Sequence, residues 1–545
     1  MPDLRITGTS LKIVRGLLRV PGLASILWRS TSSDLQIPQV RNLPADQRLP
    51  LDPAPIPVQA RARPGWAHTN APELAARTGS GATLRTAFAA GLSPVTVLET
   101  VLSAHTSTGS RSPFIALDVE RAVGLAEASH KRWQAGTTLG PLDGLIVPVK
   151  DEFHMDGLPT RGGTPYQEEP ATTDAWLVRT LLRAGAIVVG KTHATEWGMN
   201  PCGVLEHAVG PRNVYSNEHA PGGSSTGSGV AVGLGWCPSA VGTDGGGSIR
   251  IPASLNGVFG LKPTYIRVGR TGDIWGSNTV SHIGPIGRST TDVVEQLTAT
   301  AGVDIDDPLT RWAPDAHNAK PWTTALTRGI KGARIGVIRG ELDHASPAIA
   351  AQIRTALAAL EADGATLVDV DIPLAHLVNG MGALVIASET VANIGDLYDA
   401  KRSQFGDELA IIVELIRRID VNDMQRARRS RAALRRQVAA ALRDVDILAL
   451  PTTGLTAPAY ALKEDKMGIM NSAATAAMTR FNFLGNLTGL PAGTVPIGLD
   501  NGLPVGLQFV GDAWDEASVI AAMAHCERLG LCDLPAPPGL LRLAE

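Results

Sequence analysis

Cysteine is scarce in this chain, with four among 545 residues at Cys202, Cys237, Cys526 and Cys532. None forms a CxxC pair or neighbours histidines at zinc spacing, which argues against a disulfide framework or a structural metal and for reduced thiols in the cytoplasm. Long apolar runs are also missing. The longest, Gly229–Gly242, is too short and glycine-rich to cross a bilayer. The first residues carry Asp3 and Arg5 without an uninterrupted apolar core, so no secretion signal is read there. Neither sign of charge dominates: the net charge of −3 gives no broad attraction to nucleic acid, and no nucleic-acid partner is expected. No HExxH occurs, and no serine stands three residues before a lysine. With 44% hydrophobic and 19% charged residues, there is ample material for a large folded core.

Two regions differ in character. Residues 1–75 read as an N-terminal extension and residues 76–545 as one catalytic domain. The extension holds a helical pattern over Ser10–Val20, with Lys12, Arg15 and Arg19 on one side and Ile13, Val14, Leu17 and Val20 on the other, ended by Pro21. Such a helix fits either a weak membrane-surface contact or docking, on the protein's own core or on a second copy in a homodimer. A proline-rich linker, Leu43–Pro64, follows. Beyond residue 80, helical segments such as Val95–His105 and Arg121–Gln134 alternate with short apolar strands. The expected strands are Leu145–Val149, Ala186–Val189, Arg334–Ile338, Leu367–Asp371, Ile447–Leu450, Gly493–Ile497 and Val505–Val510. Alternation of this kind predicts an α/β fold, a large mixed sheet covered by helices on both faces.

One motif is a decoy. Gly185–Thr192 satisfies GxxxxGK[ST], yet a phosphate loop needs its strand before the first glycine, whereas here Ala186–Val189 read as the strand. GTDGGGSIR at Gly242–Arg250 is more informative. Three glycines before Ser248 let the backbone aim several N–H groups at one point, where an oxyanion can sit. GGSSTGS at Gly222–Ser228 adds Ser224, Ser225 and Ser228, whose hydroxyls both donate and accept protons. The GxSxG pattern around Ser225 lacks the apolar strand of a nucleophile elbow. Lys150 closes the strand Leu145–Val149; to act as a base it must be uncharged, which burial without a carboxylate partner would supply. Asp151 is expected to point to the opposite face.

At these residues the chain resembles the amidase signature family of serine hydrolases. The resemblance covers about residues 80 to 530 and rests on VPVKD, PGGSS at Pro221–Ser225, GTDGGGSIRIPA, GLKPT and GLPVGLQFVG. It implies the amidase signature fold and a Ser-Ser-Lys relay in which Ser248 is the nucleophile, Ser224 the bridging serine and Lys150 the base. It places the oxyanion hole at the amides of Gly245, Gly246, Gly247 and Ser248, with a cis peptide at Gly223–Ser224. Thr243 would support the site, and Asp244 with Arg250 would form a structural polar pair. Neither metal nor cofactor is implied. Substrate-lining candidates are Gly198, Met199, Trp275, Phe481 and Phe483, whose apolar character favours an aryl or alkyl acyl group. The expected activity is hydrolysis of a carboxylic amide through an acyl-enzyme, with esters and carbamates also open to attack. The alternatives are the glutaminase component of a tRNA-dependent amidotransferase and an inactive binding scaffold. The arginines from Arg426 to Arg436 read as a solvated helix face rather than an RNA contact.

Overall fold

The computed structural model describes residues 5–44, 47, 66, 71–274, 278–314 and 320–544. Most of the proline-rich stretch lies outside these residues, as does Trp275. The described strands are β1 (Arg5–Thr7), β2 (Phe114–Leu117), β3 (Val149–Lys150), β4 (Gly190–Thr192), β5 (Ser239–Asp244), β6 (Phe259–Lys262), β7 (His282–Gly287), β8 (Arg334–Ile338), β9 (Thr366–Val370), β10 (Ile447–Pro451), β11 (Ile469–Asn471), β12 (Ala492–Asp500) and β13 (Leu503–Val510). Eleven of them form one sheet in the order β2-β4-β3-β5-β7-β6-β12-β13-β10-β8-β9. The sheet is mixed, as expected. β4, β3 and β5 run parallel at one end and β10, β8 and β9 at the other, with antiparallel pairs between. Helices Thr226–Gly233 and Thr290–Thr300 both pack on β5, and one large apolar core spreads along the whole sheet.

Two expected strands are displaced. Leu145–Val149 and Ala186–Val189 are fully buried apolar runs, and they touch through a bridge between Ile146 and Ile187. Continuous ladders form only at Val149–Lys150 and Gly190–Thr192. A run buried on all sides lacks the alternation that would mark where pairing begins. The consequence for the site is direct. β3 and β5 are parallel neighbours, with Val149 opposite Val241, so Lys150 and Thr243–Asp244 leave the sheet at the same edge. In parallel sheets this C-terminal edge is where ligands bind.

The leading helix is α1 (Thr9–Leu17), and Pro21 opens a second helix, α2 (Pro21–Asp34), instead of ending the element. Proline suits a first helical turn, where its missing N–H is not required. α1 docks on helix Asp407–Ile416, with Leu11 and Leu18 against Ile411 and Leu415. The segment Ala375–Lys401 is long and apolar enough by composition to span a membrane (mean hydropathy 1.3), but 67% of that window is buried within the fold.

Candidate active site

Lys150 ends β3 with its side chain wholly enclosed, at 0% exposure. Its Nζ has three neighbours. Ser224 Oγ lies at 2.7 Å, Thr243 Oγ1 at 2.6 Å and Glu152 Oε1 at 2.9 Å. Thr243 in turn donates to Glu152 Oε2 at 2.6 Å, which closes a ring of lysine, threonine and glutamate. The expectation that Lys150 is buried without a carboxylate partner is therefore overturned. Asp151 does turn away, toward Lys191 at 3.3 Å, but the chain bends immediately after β3, with the Glu152 amide on the Lys150 carbonyl at 2.7 Å, and Glu152 comes back to the amine. The one-residue alternation that directs Asp151 away was itself the signal for Glu152.

The serine loop is fixed from beneath. Ser225 Oγ donates to the Thr243 carbonyl and accepts from the Thr243 amide, both at 3.2 Å. Ser228 Oγ donates to the Val241 carbonyl at 2.8 Å and touches Thr192 Oγ1 at 2.7 Å. Both hydroxyls thus stitch the loop and helix Thr226–Gly233 to the sheet, which removes Ser225 as a nucleophile. Ser224 is left as the hydroxyl facing the amine, and the Gly223–Ser224 peptide is cis. Ser248 is brought against this loop through its carbonyl, which accepts from the Ser225 amide at 3.3 Å. Among the described residues Ser248 Oγ makes no hydrogen bond. Exposure rises from 0% at Lys150 and 1% at Ser224 to 8% at Ser248, so Ser248 is the more accessible of the two serines.

The glycine run is organised by Asp244. Its fully buried carboxylate accepts from the Gly247 amide at 2.7 Å, the Ile249 amide at 3.2 Å, Arg250 Nε and Nη2 at 2.9 Å, and Asn486 Nδ2 at 2.9 Å. Burial alone would raise its pKa, yet the Arg250 guanidinium and these donors hold the carboxyl well below the usual carboxylate range. The expected Asp244–Arg250 pair is present. Gly247 is a correction, since its N–H is already committed to Asp244 and cannot serve an oxyanion. Among the described residues the amides of Gly245, Gly246 and Ser248 have no acceptor, leaving three donors in the loop.

The substrate-lining candidates separate. Gly198 stands at the site: a Cβ there would lie 3.3 Å from both Glu152 Oε1 and Ser224 Oγ, and its φ of +72° suits glycine. Met199 follows, half-buried beside Thr390. Phe483 backs the glycine loop, for a Cβ on Gly246 would meet its ring at 2.5 Å, and the same ring occupies the space beside Gly382. Phe481 is a core residue at 2% exposure, far more enclosed than a pocket wall requires. Ile386, missed in the sequence, reaches the loop from helix Val378–Lys401, where a Cβ on Gly245 would meet it at 2.7 Å. No local pattern around Ile386 marks it, because only the tertiary fold brings that helix over the loop.

The phosphate-loop pattern dissolves in three dimensions. Gly190–Thr192 is the strand β4 itself, and Lys191 Nζ is spent on the Pro159 carbonyl at 2.6 Å, Thr160 Oγ1 at 2.8 Å and Asp151. The arginine-rich helix is not simply a solvated face either. Arg431 is buried, donates to Leu487 O at 2.6 Å and Thr279 Oγ1 at 2.7 Å, and burial pushes its pKa down to about 9.

Comparison with known proteins shows which family the chain belongs to. The family model described as amidase matches residues 96–520. Fatty acid amide hydrolase of Arabidopsis thaliana is 32% identical over 454 residues, covering 80% of this chain and 74% of its own length. A glutamyl-tRNA(Gln) amidotransferase component from Chloroflexus aurantiacus is 33% identical over 451 residues, covering 76% of this chain and 89% of its own length. The solved structure of native peptide amidase from Stenotrophomonas maltophilia aligns with a TM-score of 0.71 at 30% identity, over 85% of this chain and 98% of that one. The chain belongs to the amidase signature family, whose enzymes hydrolyse amides.

Proposed function

We propose that this protein hydrolyses a carboxylic amide with an apolar acyl group through a Ser-Ser-Lys relay and a Ser248 acyl-enzyme. The observation that carries the reading is the three-way setting of Lys150 Nζ. In this reading the buried amine acts uncharged, with Glu152 orienting its N–H bonds rather than holding its proton, and it then has two N–H bonds and one lone pair. Thr243 Oγ1 and Glu152 Oε1 accept the two N–H bonds, which turns the lone pair to Ser224. Lys150 then takes the Ser224 proton, Ser224 takes that of Ser248, and Ser248 Oγ bonds to the amide carbon. The link from Ser248 to Ser224 closes by rotation about the Ser248 side chain when substrate fills the site, as hydrogen bonds in free enzymes commonly tighten on binding. The developing oxyanion faces the amides of Gly245, Gly246 and Ser248. The relay returns its proton to the leaving nitrogen, the amine departs, and water releases the acid from Ser248. Esters and carbamates share the carbonyl and leave more easily.

Ile386 and Met199 lie partly buried beside the site, with the Phe483 ring behind the loop, which supports an apolar acyl group. The relatives named fatty acid amide hydrolase favour the same class. Relatives named for the glutamyl-tRNA(Gln) amidotransferase carry the competing reading, glutamine hydrolysis within a complex. The test uses the purified chain alone. Hydrolysis of aryl and alkyl amides without ammonia release from glutamine is the expected result; the reverse pattern would overturn it. Ser248→Ala should abolish both turnover and labelling by a fluorophosphonate, and labelling that persists with full activity would remove Ser248 from its role.

A further inference from the structure

Residues 5–33 contain Arg5, Lys12, Arg15, Arg19 and Arg29 and no acidic residue, within a chain whose net charge is −3. Two of these cations are used to fasten the segment. Arg5 pairs with Glu464 at 2.7 Å, beside the β1–β11 ladder. Arg15, expected on a free basic face, instead pairs with Asp407 at 2.7 Å and donates to the Phe405 and Arg402 carbonyls. Lys12, Arg19 and Arg29 are exposed and have no ion-pair partner among the described residues.

Docking also sorts the apolar residues in an unusual way. Leu11 and Leu18 of the α1 segment and Ala24 of α2 are buried on the same cluster with Ile411 and Leu415. The opposite side of both helices faces solvent and is apolar as well: Ile13 is 58% exposed, Val20 47% and Ile26 64%, with Leu17 and Leu23 beside them. At about 100° per residue, Lys12 and Arg19 fall along one edge of the outward arc of α1, with Ile13 and Leu17 along the other. Apolar side chains in the middle and cations at the border suit an anionic lipid surface, where the chains enter the acyl boundary and the cations meet headgroups. A protein partner matched to this face would need acidic groups around its own apolar patch, and the same two helices of a second copy offer no such match, since residues 9–34 carry Lys12, Arg15, Arg19 and Arg29 against the single acid Asp34 at the far end of α2.

We propose that α1 and α2 form a seat on anionic membrane surfaces, made by Ile13, Leu17, Val20, Leu23 and Ile26 and bordered by Lys12, Arg19 and Arg29. The seat is one helix away from the reaction site. Helix Asp407–Ile416 carries α1 and α2 on Ile411 and Leu415 and packs its Leu409 and Val413 into the cluster that includes Trp197 and Met199. Those two residues flank Gly198 beside Ser224. The lipid contact stands independently of the chemistry; its use, presenting an apolar acyl amide from the bilayer, rests on the proposed function.

The test is co-sedimentation of the full chain with vesicles of phosphatidylcholine, alone or mixed with phosphatidylserine. The expected result is binding to the anionic vesicles that weakens with added salt. Lys12→Gln/Arg19→Gln/Arg29→Gln should lower that binding on the order of a hundredfold and remove its salt dependence. Ile13→Gln/Leu23→Gln/Ile26→Gln should abolish it, while both variants keep wild-type melting temperature and hydrolysis of a soluble short-chain ester. Equal sedimentation of wild type and the apolar variant overturns the proposal. So does a wild-type dimer in light scattering that the apolar variant loses without any vesicle binding, which would give the face to a second copy. Vesicle binding with no amide hydrolysis at all would retain the seat and refute the proposed function instead.

Discussion

Thr243→Val removes one oxygen from the centre of the site and little else. Thr243 Oγ1 accepts from Lys150 at 2.6 Å and donates to Glu152 at 2.6 Å, while the Thr243 backbone keeps its two bonds to Ser225. Valine fills nearly the same volume, so the serine loop stays anchored and the ring around Nζ opens. The bond to the Glu152 carboxylate is worth about 1.5–3 kcal/mol and the bond to the uncharged amine about 0.5–1.5 kcal/mol, about 2–4.5 kcal/mol together. If the ring serves to aim the amine, this loss falls on acylation and slows it by roughly one and a half to three orders of magnitude. The assay is the pre-steady-state burst with a p-nitrophenyl ester, with thermal melting in parallel. Thr243→Ser restores the oxygen and should recover most of the burst rate, which a purely packing role would not predict. Acylation by Thr243→Val within about threefold of wild type would refute the reasoning.

Further outcomes follow from the same geometry. Glu152→Gln should lower kcat by roughly ten- to a hundredfold on a soluble amide with little change in KM; an unchanged kcat would show that the carboxylate does not position the amine. Gly246→Ala places a Cβ 2.5 Å from the Phe483 ring and should cost about 1–3 kcal/mol in urea unfolding, with part of that loss recovered by Phe483→Leu. Two buried aspartates give opposite pH signatures. Asp244 has a depressed pKa, so its contribution is present above the unfolded carboxylate value near 3.9 and is lost as pH falls below it. Asp292 is raised to about 7, by burial first and then by Glu295 and Glu527. The folded state keeps a proton that the unfolded chain releases, so stability declines as pH climbs from about 4 to about 7 and then levels, with a limiting slope of ~1.4 kcal/mol per pH unit. Asp292→Asn should flatten that interval in a melting series from pH 4 to 8, and an unchanged slope would refute the assignment.

Where sequence succeeded and failed has a physical pattern. Lys150, Ser224, Thr243 and the Asp244–Arg250 pair sit in the short motifs that carry the family resemblance, and the structure gathers all of them at one sheet edge. Gly247 was misassigned because three glycines look equivalent in a string of letters. The Asp244 side chain bonding three residues ahead makes them different, a short-range habit of aspartate that the sequence did offer. Ile386 lies on a helix remote in sequence, and its approach to Gly245 is a product of packing alone. The strand positions at Leu145–Val149 and Ala186–Val189 slipped because uninterrupted burial erases register information. For α1 the periodicity is visible, but its inward side rests on contacts remote in sequence, Leu11 and Leu18 on Ile411 and Leu415 and Arg15 on Asp407.

The ring of Phe483 fills the room behind both Gly246 and Gly382, and this makes it a shared keystone for the glycine loop and for the spacing of helix Val378–Lys401. Trimming it to admit a bulkier acyl chain would open a void directly under the amides proposed to receive negative charge, so such variants are expected to surrender speed before they widen range. Met199 and Ile386 are only partly buried, and neither sits between two glycines as Phe483 does. Laboratory or natural retuning of acyl preference is therefore channelled toward those two positions, while the glycine loop and its aromatic backing remain fixed.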